Sequence, residues 1–377
     1  MIIAPLVFAT LVGGIASMGN SRSVGRIGLR AMVWFVTASV ISLAIGMGLV
    51  NLFQPGAGLN MEVVQHAASP VVNTGDFSLK VFISHVFPRS IAEAMANNEI
   101  LQIVVFSLFF GFALAGVKRA GYTTIVDGIE ELAKVMFKVT DFVMAFAPIG
   151  VFAAIASAIT TQGLGLIVDY GKLIAEFYLG IVILWCVLFG AGYLFLGRSV
   201  FTLGKLIREP VLLAFSTASS ESAYPKTMEA LEKFGAPKRV SSFVLPLGYS
   251  FNLDGSMMYT TFAVLFIAQA YNIDLSFTQQ ILILLTLMVT SKGIAGVPRA
   301  SLVIVAATCG MFKIPIEGIA LILPIDHFCD MFRSATNVLG NALATSVVGQ
   351  WEGNDTAENV QKWALKIAQN QNDTGKE

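Results

Sequence analysis

Apolar runs long enough to cross a bilayer alternate with short polar stretches along most of the chain, a pattern that predicts membrane-spanning helices. The first run ends near Met18, and others are expected over residues 31–53, 100–117 and 173–196. Residues 130–161 form a longer run, polar at its start, with a kink expected at Pro148-Ile149-Gly150. Residues 78–98 are mixed and broken by Pro88, which suits a helix lying in the interface. Arg22, Arg26 and Arg30 follow the first run, Lys118 and Arg119 the third, and Arg198, Lys205 and Arg208 the fifth. Residues 54–77 contain no Lys or Arg, so each basic cluster falls where the crossings return the chain to the cytoplasmic side.

From Pro210 the pattern changes. The apolar stretch VLLAF (211–215) is too short for about 30 Å of hydrocarbon. It runs into Ser216-Thr217-Ala218-Ser219-Ser220-Glu221-Ser222 and then into a basic segment, so the chain enters the membrane and turns back. A polar cytoplasmic loop is the plainer reading, but it would invert the charge pattern downstream. Residues 242–270 are apolar apart from Asn252-Leu253-Asp254-Gly255-Ser256. That interruption is either a simple kink or a break leaving carbonyl groups free beside a carboxylate, which suits a small hard cation. A second hairpin, entering from outside, is expected to turn at Ser291-Lys292-Gly293-Ile294-Ala295-Gly296-Val297-Pro298. Two such units of opposite orientation form the inverted repeat expected of secondary transporters. The last span, 325–351, carries Asp326, Asp330, Arg333, Asn337 and Asn341 at intervals of four, three, four and four, one polar stripe on an apolar helix. Each Asp or Arg near mid-bilayer costs roughly 2.5–3.5 kcal/mol on insertion scales, so the stripe has to face protein or a cavity. A salt bridge that only pins helices would also satisfy it, although ionisable groups inside membranes are functional by default.

Composition agrees with this pattern. Of 377 residues, 55% are hydrophobic and 13% charged, with mean hydropathy +0.74, which excludes an ordinary soluble domain and a disordered chain. Lys+Arg and Asp+Glu are 24 each, so net charge suggests no nucleic-acid partner. Cys186, Cys309 and Cys329 lie in apolar segments without metal or disulfide spacing. Met1 opens straight into an apolar run with no charged region before it, so no signal peptide is read there and a preceding first helix is expected outside this sequence.

Four stretches carry a family resemblance: STASSESAYP (216–225), YSFNLDGS (249–256), SKGIAGVP (291–298) and DHFCDMFRSATNVLGN (326–341). In this order they resemble the dicarboxylate/amino acid:cation symporter family, which includes neuronal glutamate transporters and bacterial glutamate/aspartate symporters. The likeness covers nearly the whole chain. It implies an all-α polytopic membrane protein, with inverted repeats, two re-entrant helical hairpins and discontinuous transmembrane helices, working as a homotrimeric elevator in the plasma or inner membrane, and not an enzyme. Residues 1–123 would be scaffold and trimerisation helices, 124–200 further spans of mixed membership, 201–350 the transport core and 351–377 a cytoplasmic tail. By the same resemblance Arg333 would hold the distal carboxylate of the substrate, which suits a guanidinium fork, and Asp330 its ammonium group. Ser220 and backbone amides near Ala218 and Val297 would take the α-carboxylate, with Ser256, Ser334 and Asn337 completing the pocket. Sodium would sit among Asn252, Asp254, Asn341 and the carbonyls of Gly248 and Asn337, with Ser39 and Ser291 as further candidates. Two positions depart from many sodium-driven members. Asn341 stands where they have aspartate, so coupling could include protons, and Glu221 stands where others have serine.

Arg333 accepts any diacid, whereas Asp330 repels a substrate that brings no ammonium group. The resemblance adds that the C4-dicarboxylate branch generally lacks an acid there. An acidic amino acid is therefore the expected substrate, with C4-dicarboxylates as the alternative. An intramembrane aspartyl protease using Asp254 and Asp330 is a reading from another class, but no GxGD sequence is present and Arg333 would keep one acid ionised. A passive anion channel is a third.

Overall fold

The computed structural model describes residues 3–18, 21–59, 87, 89–97, 99–119, 123–144, 146, 149, 152, 170–291 and 300–352. Helices α1 (Ile3–Met18), α2 (Ser21–Phe53), α3 (Ile91–Ala96), α4 (Ile100–Arg119) and α5 (Thr124–Met144) come first. They are followed by α6 (Gly171–Leu196), α7 (Ser199–Leu206), α8 (Arg208–Thr217), α9 (Tyr224–Lys233), α10 (Lys238–Phe251) and α11 (Asp254–Ala270). The chain closes with α12 (Phe277–Thr290), α13 (Ala300–Met311), α14 (Ile319–Ile322) and α15 (Asp326–Trp351). No strand occurs among the described residues.

Helix α15 is the axis of the molecule. It packs against α2, α6, α8, α10 and α11, and every residue from Ser334 to Gly349 is buried. Small side chains make this possible, because Gly340, Ala342, Ala344, Ser346 and Gly349 let neighbouring helices close in. Helices α1, α4 and α5 form a second group, joined through Ala9, Val12, Ala16, Leu114, Val126, Ile129 and Ala133, and α1 leans on α10. Helix α2 packs chiefly against α11, with α6, α10 and α15 beside it. It also begins ten residues before the predicted run. Arg26 and Arg30 occupy its first turns and reach back to Glu352, at 2.5 and 2.7 Å, while Arg30 also donates to the Trp351 carbonyl. Long basic side chains that point to the interface can extend a span in this way.

Helices α2 and α6 are long and apolar enough to cross a membrane. Their outer faces expose aliphatic side chains such as Leu29, Val33, Val182 and Leu194, the last 81% accessible. A soluble protein would not leave such stripes in water. The predicted kink at Pro148-Ile149-Gly150 and the second hairpin turn at 292–298 fall outside the described residues, except for Ile149.

Candidate functional site

The first hairpin is formed by α8 and α9. At its tip Ala218 adopts a left-handed conformation (φ 49°), ending α8, and a 3-10 turn, Glu221–Ala223, leads into α9. Hydroxyl groups tie the tip together: Thr217 Oγ1 lies 2.8 Å from Ser222 Oγ, and Ser222 donates to the Ser219 carbonyl at 2.8 Å. The hairpin is anchored on α15 by Ala214, Ala223 and Val338 and by Phe215 edge-on to Phe332. Ala218 and the buried Ser220 thus sit at this tip, where the Ala218 amide donates back to the Ala214 and Phe215 carbonyls at the end of α8.

The predicted break between the two halves of the next span is real but shorter. Helix α10 ends at Phe251, Asn252 and Leu253 are non-helical, and Asp254, Gly255 and Ser256 already form the first turn of α11. The reason lies on α15. Asn337 Oδ1 accepts from the amides of Gly255 (2.9 Å) and Ser256 (3.4 Å), while its Nδ2 donates to Ser256 Oγ at 3.1 Å. These amides are the orphan donors of a helix start, satisfied here by a side chain from another helix. Asn337 and Ser256, both predicted to line the substrate pocket, are therefore brought together as a capping pair.

One turn earlier, Arg333 is 2% exposed and surrounded. Its guanidinium lies 2.6 Å from Asp330 Oδ1 and 3.6 Å from Asp326 Oδ1, and stacks 4.5 Å from the Tyr259 ring centroid. Tyr259 donates to Asp326 at 2.8 Å, and Ser334 donates to Asp330 at 3.3 Å. Arg333, Asp330 and Ser334 thus form one cluster, in which the two expected substrate ligands hold each other. Tyr259 and the holding role of Asp326 were not foreseen. Asp326 was visible on the polar stripe. Tyr259 gave the weaker signal of a hydroxyl in an apolar run, which has to find a partner. Trp185 of α6 steadies the same face of α15 by donating to Thr336 at 2.8 Å.

One turn later lies the predicted cation cradle. Asn252, Asp254 and Asn341 are buried, Asp254 completely. Asn252 Nδ2 reaches Asp254 Oδ2 and Asn341 Oδ1, both at 3.2 Å. The Gly248 carbonyl accepts the Asn252 amide at 2.8 Å. Two glycines set the close approach: a Cβ at Gly340 would fall 2.0 Å from Asp254 Oδ2, and one at Gly248 would fall 2.3 Å from Asn341 Oδ1. Among the described residues Asn252 Oδ1 is buried without a hydrogen-bond partner, an oxygen suited to a hard cation. Of the other candidates, Ser291 is buried after α12 with its hydroxyl 3.4 Å from the Met288 carbonyl. Ser39 is buried on α2, and Val297 lies outside the described residues.

A buried guanidinium–carboxylate pair, a broken helix and a hairpin tip meeting on one central helix are the features of a secondary transporter site. Residues 1–351 match the model of the sodium:dicarboxylate symporter family, and the chain belongs to that family of integral membrane proteins. It is 41% identical over 359 residues to the proton/glutamate-aspartate symporter of Escherichia coli (strain K12), covering 93% of this chain and 82% of that one. It is 40% identical over 376 residues to the proton/sodium-glutamate symport protein of Bacillus caldotenax, covering 98% and 89%. It is also 43% identical over 366 residues to the C4-dicarboxylate transport protein of Pseudomonas syringae pv. tomato (strain ATCC BAA-871 / DC3000), covering 96% and 79%.

Proposed function

We propose that this protein is a secondary active symporter that takes up acidic amino acids, glutamate or aspartate, together with Na+ and H+. The observation that carries the reading is the buried Arg333–Asp330 pair at 2.6 Å. A substrate that pulls these charges apart has to replace both halves of the pair. An acidic amino acid does so, with its distal carboxylate on Arg333 and its ammonium on Asp330 beside Ser334. A plain diacid replaces one half and leaves Asp330 as a buried charge facing another, a loss of several kcal/mol. Ser220 and the amides near Ala218 and Val297 at the hairpin tips would take the α-carboxylate. Sodium would occupy the cradle of Asn252, Asp254, Asn341 and Gly248, with the Asn337 carbonyl, Ser291 and Ser39 serving further sites. The names of the glutamate symporters at 40–41% identity support both cations.

The protein would work as a multi-pass homotrimer in the plasma or inner membrane, by alternating access. The hairpins, α10, α11 and α15 would move as an elevator against α1, α4 and α5. The packing of α2 and α6 on α15 and α11 supports placing them with the moving part. The second reading, a C4-dicarboxylate symporter, is favoured by the 43% identity to the Pseudomonas protein. Uptake of labelled aspartate and succinate into proteoliposomes, under separate sodium and proton gradients, decides between them. Asp330→Ser should lower aspartate uptake and spare or raise succinate uptake, and an unchanged preference would refute the assignment.

A further inference from the structure

We infer that the ends of α2, α10 and α15 that meet at Glu352 form a binding site for an anionic phospholipid. Its phosphate is held by Arg26, Arg30 and Arg239, and its acyl chains lie along the outer face of α2. The site is separate from the ion pair and the cradle described above, and it does not depend on which substrate is carried.

Charge is the first argument. Glu352, at the end of α15, is gripped by Arg26 at 2.5 Å and by Arg30 at 2.7 Å, and Arg239 in the first turn of α10 lies within electrostatic reach of it. Three guanidinium groups therefore surround one carboxylate, and positive charge is in excess. Pairing does not use them up. Arg26 offers Glu352 its Nε and Nη2 and Arg30 its Nη1, while the two side chains stay 55% and 36% exposed. Arg239 is exposed as well. Helices α2 and α10 both begin at this end, so the positive ends of their dipoles add to the field. A phosphate diester accepts the remaining guanidinium edges in charge-assisted hydrogen bonds.

The apolar surroundings select a lipid over a soluble anion. Leu29, Arg30 and Val33 follow Arg26 by three, four and seven positions, so they share one face of α2. Leu29 is 68% and Val33 54% exposed, and the stripe passes from guanidinium to hydrocarbon within two turns. Trp34, Phe195 and Trp351 pack edge to edge at the same level, with centroids 5.3–6.1 Å apart. Aromatic rings of this kind sit at the depth of lipid headgroups. The basic stretches around Arg26 and Arg239 put this end on the cytoplasmic side, where basic pockets between spans bind anionic headgroups. A phosphate bridging Arg30 and Arg239 ties α2 to α10, beside the carboxylate that already ties α2 to α15.

The test uses the full chain in mixed lipid–detergent micelles. Brominated acyl chains quench tryptophan on contact, and Trp34 and Trp351 stand at the site. Brominated phosphatidylglycerol is titrated against brominated phosphatidylcholine, with glycerophosphate as the soluble control. At low salt the wild type should prefer phosphatidylglycerol at least about tenfold, a preference that high salt erases. Exchanging both Trp34→Phe and Trp351→Phe should remove the selective part of the quenching. Arg239→Gln should weaken phosphatidylglycerol binding about fivefold, and Glu352→Gln, which takes away the competing carboxylate, should strengthen it about fivefold. Misfolding can produce the first change but not the second. Equal quenching by the two lipids, or a preference that neither charge variant moves, overturns the proposal. Displacement of phosphatidylglycerol by an equal concentration of glycerophosphate also overturns it, by making the site one for soluble anions.

Discussion

Asp326→Asn is the sharpest probe of how the guanidinium is held before substrate arrives. Asp326 Oδ1 lies 3.6 Å from Arg333, and at an effective dielectric near 20 two unit charges at that distance attract by about 4–5 kcal/mol. Most of this is offset by the desolvation of both groups, and Arg333 keeps Asp330 at 2.6 Å. The amide can still accept the Tyr259 hydroxyl, so the expected net loss in the substrate-free protein is about 1–3 kcal/mol. Thermal unfolding in detergent should show a lowered midpoint. Aspartate affinity should move the other way. The carboxylate of the substrate then competes with one acid fewer, and a gain of about 1.4 kcal/mol is tenfold in Kd. Titration calorimetry on the same preparation reads this directly. An unchanged midpoint together with an unchanged Kd would show that Asp326 does not hold Arg333, and the argument from the ion-pair geometry would fail.

Other perturbations test neighbouring features. Asn337→Ala strips the first turn of α11 of its cap, at about 0.5–2 kcal/mol for the cap and more where the freed amides stay dry; chemical denaturation should show the loss even without substrate. In Gly340→Ala the new methyl collides with Asp254 Oδ2, so the sodium concentration for half-maximal uptake should rise at least about tenfold, equal to 1.4 kcal/mol, and an unaltered sodium dependence would remove Asp254 from the cradle. The hydrogen bond from Arg26, with the charge of Arg30, holds the Glu352 carboxyl below the usual carboxylate range. That contribution is complete above about pH 4.3, the ordinary glutamate value, and is lost as pH falls through the lowered one. Unfolding midpoints followed into acid should therefore drop less steeply in Glu352→Gln than in the wild type.

Much of this arrangement was legible in the chain because a bilayer leaves few options. Spacing alone placed Asp326, Asp330, Arg333, Asn337 and Asn341 on one face of α15, and the shortness of 211–215 foretold a hairpin. Interruption of 242–270 foretold the break, but spacing could not show that Asn337 would supply a helix cap from 81 or 82 positions away and so narrow the gap to two residues. The same limit hid the Tyr259–Asp326 bond, since nothing in the pattern sets the Tyr259 hydroxyl apart from those of Thr260 and Thr261 beside it. The start of α2 was misplaced for another reason. Arg26 and Arg30 read as a loop, yet a partner at Glu352 lets them stay helical.

Asn337 stands one helical turn from Arg333 and one from Asn341, and it grips the first turn of α11, where Asp254 begins. If Arg333 takes the cargo as proposed, a twist of α15 that frees the guanidinium would strain that grip and so reshape the nest proposed for sodium. Passenger and ion would then share one rigid lever, and a half-loaded carrier would stall for mechanical reasons, which would guard the cell against slippage of either species down its own gradient.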